Sequence, residues 1–167
     1  MENQKKHSAL STRVVQLFSA VAIAAALFSQ PLHAQAPGVD LRIGATTSAP
    51  TDGLANVFDY GYGLYARVGV PMGPVSLMGA ATWNRFKPKS DIFNDFDIVT
   101  MQVGPHLMLV PGFDVGIEGA YFTEVEEFGF VPVVSFGIPN LEATLSYSTT
   151  FDGPRTSWFS LGVGFKF

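Results

Sequence analysis

Cysteine is absent from the chain, histidine occurs three times, and charged residues make up only 14% of it. Without cysteine there is no disulfide, no thiolate metal site and no lipid-modified cysteine. Few histidines leave little for a metal cluster or a catalytic base. The shortage of charge excludes an ordinary water-facing surface, because 47% of the residues are apolar and 13% aromatic. Long hydrophobic runs are missing too. The longest, Val14 to Phe28, contains Gln16 and Ser19 and falls short of the roughly 18 apolar residues that a spanning helix needs.

That run does fit another pattern. Lys5, Lys6 and Arg13 precede it, and Pro31 and the small residue Ala34 follow. A basic start, a short apolar centre and a small-residue exit read as a secretory signal, with cleavage expected after Ala34. Residues 1–34 are thus expected to be a leader and 35–167 a single domain. The domain would carry 7 basic against 13 acidic residues and one histidine, His106. An acidic chain is a poor match to phosphate backbones, so no nucleic-acid partner is expected. No cofactor or bound metal is expected either.

What the domain does contain is alternation with period two, again and again, the mark of strands. Val39, Leu41, Ile43 and Ala45 alternate with Asp40, Arg42, Gly44 and Thr46, and Tyr60 to Val70 repeats the pattern up to the turn Pro71-Met72-Gly73-Pro74. Further strands are expected at Val75–Asn84, Phe96–Leu109, Phe113–Phe122, Phe128–Ile138, Leu141–Phe151 and Ser157 to the terminus, with tight turns at Pro111-Gly112 and Pro139-Asn140. Longer connections (48–59, 85–95, 123–127, 152–156) alternate with those turns. Eight up-and-down strands with the long loops on one end describe an all-β, antiparallel transmembrane barrel. Pro105 and Pro132 fall inside strands, where each is expected to mark a bulge.

Period two does not say which face points inward, and a soluble ligand-binding barrel would show it as well. Volume separates the two. The apolar parity is bulky (Tyr62, Leu64, Trp83, Met101, Ile117, Phe136), whereas the other is rich in glycine, serine and threonine. An eight-stranded barrel is only just wide enough inside for side chains, so the bulky set must face out. Charge agrees: Asp40, Arg42, Arg67, Asp114, Glu118, Glu142 and Lys166 share the small-residue parity, and a charge facing mid-membrane costs roughly 2–4 kcal/mol. Asp97 has the opposite parity but lies beside a loop. Tyr60, Tyr62, Trp83, Tyr121, Tyr147 and Phe159 gather at the loop end like an interfacial girdle.

The last eight residues carry Ser160, Gly162, Phe165 and Phe167 in the order polar, glycine, hydrophobic, hydrophobic. This resembles the β-signal of outer-membrane proteins, which implies recognition by the barrel assembly machinery. Over residues 35–167 the chain resembles small eight-stranded outer-membrane barrels such as OmpA-type transmembrane domains and the OmpX and OmpW-like groups. The resemblance implies a monomer in the cell outer membrane, exported through the inner membrane and in contact with its lipids and with lipopolysaccharide.

Within the interior, the seven charges fall mostly near the tight-turn end. Two readings stand: an ion-pair plug that closes the barrel, or charges solvated by lumenal water. Near the loop end the inward residues Tyr65, Ile98, Ala120, Phe122, Val131, Val133 and Trp158 are apolar, and either pack together or line a pocket for a small hydrophobic molecule. His106 has no recognisable serine partner, so an enzyme is not expected. The loops, including the mixed-charge 85–91 and the acidic Glu124, Glu126 and Glu127, offer adhesion or cation binding as a further possibility. The leading expectation is a structural or membrane-maintenance role, with a narrow channel or pocket, or surface adhesion, as alternatives.

Overall fold

The structure, a computed structural model, describes residues 38–151 and 156–167. The expected leader at 1–34 and most of the connection at 152–156 lie outside the described residues. The elements in order are β1 (Asp40–Thr51), a one-turn helix α1 (Asp52–Ala55), β2 (Phe58–Met72), β3 (Val75–Pro88), β4 (Phe96–Val110), β5 (Phe113–Phe122), β6 (Glu127–Ile138), β7 (Leu141–Thr150) and β8 (Thr156–Lys166). Each strand pairs antiparallel with its sequence neighbour, and β8 pairs with β1 to close the barrel.

The register sets the width of the interior. From Leu41 the paired residues run through Val68, Gly79, Val103, Gly119, Phe130, Thr149 and Ser157 and return to β1 at Thr51, ten residues along the strand. Such a stagger tilts the strands by about 40° and leaves a lumen that side chains can fill. Alternation then sorts the residues. Leu64, Val68, Met101, Val103, Ile117, Leu145, Leu161 and Val163 are exposed on the outside, while Arg42, Arg67, Thr100, Glu118, Ser135 and Trp158 are buried within. A contiguous apolar exterior of this extent requires a non-aqueous neighbour.

Two turns need glycine. Gly73 and Gly112 have φ of 75° and 82°, the left-handed region in which a Cβ is penalised, and they end the β2–β3 and β4–β5 hairpins. A different use of glycine closes the seam. A Cβ on Gly44 would stand 2.6 Å from the Tyr65 ring, and one on Gly164 would stand 2.4 Å from its hydroxyl. The ring therefore lies flat across β1 and β8 where the barrel's two terminal strands meet.

Three expectations need correction. Strands β1 and β3 run further than the alternation indicated, so Ser48 to Thr51 and Arg85 to Pro88 belong to strands instead of loops. Pairing with β8 holds β1 extended as far as Thr51, beyond the end of its ladder with β2 at Ser48, and α1 takes up most of the remaining connection. The prolines do not mark bulges. Pro105 pairs with Leu77 and Pro132 with Ile117 in unbroken register, and the ladder on the other side of each simply skips the proline and the residue before it, then resumes. Losing one N–H costs a ladder bond without displacing the strand. The register shifts lie at Phe58/Tyr60 and Met108/Val110 instead.

Candidate functional site

The inward charges of β1, β2, β4, β5, β7 and β8 form one connected chain across the lower lumen. Lys166 Nζ lies 3.0 Å from Asp40 Oδ2, which also accepts from Arg42 through Nη2 at 2.6 Å and Nε at 3.0 Å. Arg42 Nη1 pairs with Glu142 and stands 3.7 Å from Asp114 Oδ2. Asp114 Oδ1 is 2.9 Å from His106 Nδ1, and His106 Nε2 is 2.8 Å from Glu118 Oε1. Arg67 Nη2 reaches both Glu118 oxygens, at 3.2 and 3.3 Å. The structure thus brings together all seven charges singled out by parity. Arg42, Arg67, His106, Glu118 and Glu142 are buried, while Lys166 stays half-open at the turn end.

His106, which the sequence set apart, is the middle link. It lies opposite Gly116 on β5, and a Cβ on that glycine would fall 2.3 Å from the imidazole. With only hydrogen there, the ring can lie across the strand between Asp114 and Glu118, two residues to either side. An imidazolium donates through both nitrogens, and in that form the chain holds four cations (Arg42, Arg67, His106, Lys166) and four carboxylates (Asp40, Asp114, Glu118, Glu142). Arg42 and Arg67 are direct cross-strand partners, an unfavourable juxtaposition of like charge. Each guanidinium turns to a different carboxylate.

Above this layer the lining is neutral and polar. Thr46 and Ser48 both donate to Asn84 Oδ1 at 3.1 Å, and Ser48 and Ser160 share a 2.8 Å hydrogen bond. Of the proposed assembly residues, Ser160 therefore faces the lumen. Gly162 faces it too, beside Thr144 and Tyr65. Phe165 and Phe167 are exposed on the outside, and the Phe167 amide donates to the Leu41 carbonyl at 2.8 Å.

The loop end is packed with hydrocarbon. Phe86, Ile98, Ala120, Phe122, Val131, Val133 and Trp158 form one buried cluster, with Leu54 of α1, Phe58, Phe96 and Val125 packed against it. Trp158 meets Phe86 and Phe122 edge to face at 5.4 and 5.5 Å. Six of the residues that could have lined a pocket pack against one another instead. Tyr65 does not join them but sits lower, on the seam glycines.

Outside, the girdle residues pair: Tyr62 with Trp83 at 6.3 Å, Tyr147 with Phe159 at 4.7 Å, and Tyr121 with Phe128 at 5.1 Å. Tyr60 is exposed beside them. One step above Trp83, Arg85 lies 5.4 Å over its ring and binds Asp97 through two 2.7 Å hydrogen bonds. This cross-strand pair explains how Asp97 is tolerated on the outward parity. Glu124, Glu126 and Glu127 do not converge. Among the described residues no group of three acidic, histidine or cysteine side chains is placed to hold a metal ion.

No family model matches the chain, and no curated protein matches it. Solved structures do. Ail, the attachment invasion locus protein of Yersinia pestis, matches with a TM-score of 0.54 at 14% identity over 77% of this chain and 97% of Ail. The same protein in complex with the heparin analogue sucrose octasulfate gives 0.48 at 15% identity, and Neisserial surface protein A gives 0.45 at 14%, both with the same coverage. The likeness is one of backbone: this chain has the closed, eight-stranded antiparallel fold of the small outer-membrane barrels.

Proposed function

We propose that this chain is an integral outer-membrane barrel with a mainly structural role, exported by its leader and inserted as a monomer, whose lumen is sealed against free diffusion. The observation that carries the reading is double closure: a connected ion-pair chain across the lower lumen and a buried aromatic cluster across the upper. Either alone would narrow the path. Together they oppose a continuous aqueous route, because opening the first strands charges in a confined space and opening the second exposes hydrocarbon to water. The apolar exterior and aromatic pairs suit contact with lipid, and Arg85 above Trp83 suits the headgroup region and lipopolysaccharide. Both His106 nitrogens are engaged by carboxylates, Asp114 and Glu118, which suits a structural link in the ion-pair chain. Planar-bilayer recording tests the seal. The purified barrel is expected to show no sustained conductance, and a stable large one would refute the proposal.

A second reading, attachment at the cell surface, draws on the apolar tip of the β3–β4 connection, where Ile92 is 87% and Phe93 52% exposed. Ail, whose name records attachment and invasion, has the same fold. Replacing both tip residues with serine is expected to lower whole-cell binding to host matrix several-fold without changing the level of folded barrel. Unchanged binding would exclude this tip.

A further inference from the structure

Between the ion-pair chain and the aromatic cluster lies a small chamber that neither closure accounts for. Its volume is about 20 Å³, room for one or two water-sized particles and no more. The walls include Thr46, Thr82, Gln102, Thr144, Ser146 and Arg67, and no carboxylate lines it. The one ionised group facing this space is therefore a cation.

Arg67 is only half satisfied. Its side chain is 6% exposed, its Nη2 is bound to Glu118, and its Nη1 is buried with no hydrogen-bond partner. A buried, unpaired guanidinium nitrogen is costly unless something accepts from it. On the same wall, the Thr82 hydroxyl has a hydrogen to give. Thr82 Oγ1 already accepts from the Gln102 amide at 3.5 Å, which leaves its hydrogen free. Thr46 Oγ1 and Ser48 Oγ have spent theirs on Asn84.

We infer that the chamber is a binding site for a single small monatomic anion, chloride under ordinary conditions, held by Arg67 Nη1 and the hydroxyls of Thr82, Thr144 and Ser146. Size excludes sulfate and phosphate. The anion completes the hydrogen bonding of Arg67 on the side away from Glu118, so it ties the polar mid-layer to the ion-pair chain below.

Crystals of the full barrel grown in bromide and measured at the bromine absorption edge test the assignment. One anomalous peak inside the chamber, in contact with Arg67 Nη1, is expected. Peaks confined to the outer surface, adventitious ions only, would overturn it, as would a chamber filled with water alone. Ser146→Leu fills the space and is expected to abolish the internal peak while heat-modifiable gel migration is kept; a peak that persists overturns the site. If that variant fails to fold, Thr82→Val, which conserves volume and removes one donor, is expected to lower bromide occupancy several-fold, and unchanged occupancy is the contrary result.

Discussion

Glu118→Ala is expected to destabilise the folded barrel by about 3–5 kcal/mol, the cost of breaking a buried ionic contact from one side. Glu118 is fully buried and is the acceptor shared by Arg67 and His106. Its removal leaves one carboxylate, Asp114, for the histidine and none for the buried Arg67. The loss exceeds that of an exposed pair such as Lys87 and Asp95, which are 2.6 Å apart at the loop end, because solvent stands ready to replace either partner there. Glu118→Gln keeps an acceptor and is expected to lose less. Urea titration of the barrel in micelles, read by the shift between folded and unfolded gel bands, measures both. Equal stability of Glu118→Ala and the parent chain would mean that the charges are individually hydrated and the chain of contacts carries no weight.

Trp158→Ala is expected to cost a similar 3–5 kcal/mol, by a different mechanism. The indole is 1% exposed and wedged edge to face between Phe86 and Phe122. Truncation deletes both aromatic contacts and leaves a cavity that the surrounding strands, fixed by the barrel's register, cannot collapse to fill. The variant should nevertheless remain closed to ions, since the lower closure is intact. Glu118→Ala should likewise stay closed because the upper one is intact. A sustained conductance requires both changes together, which distinguishes two independent seals from a single gate.

The sequence was informative where alternation is strong and a turn is chemically marked. The strand β5, Phe113 to Phe122, follows Pro111-Gly112 and matches its expected bounds. Parity alone also placed seven charges and the small residues on one face, because a narrow lumen cannot hold the bulky set. Strand extensions above the membrane belt were harder to read: Arg85 and Lys87 resemble loop residues until their ion-pair partners Asp97 and Asp95 are in view. His106 reads as inward and near the turn end in the sequence, but a lone histidine with no serine partner gives no sign of the two carboxylates that flank it. Those come from the register, which sets His106 opposite Gly116, between Asp114 and Glu118, across a shift at Met108/Val110 that period-two reading cannot detect. The prolines that did draw attention hold register, because their neighbours on the paired side keep the strand straight.

The central claim is the assignment of faces: bulky residues to lipid, charges and the aromatic cluster to the interior. The chain holds two tryptophans, and they fall on opposite sides, Trp83 in the outer girdle and Trp158 inside. Single-tryptophan barrels made by Trp158→Phe and Trp83→Phe, reconstituted in bilayers of bromine-labelled lipid, read each side by fluorescence quenching. Trp83 emission should be strongly quenched and Trp158 emission left nearly unchanged; quenching of Trp158 with Trp83 spared would contradict the assignment and, with it, the sealed lumen.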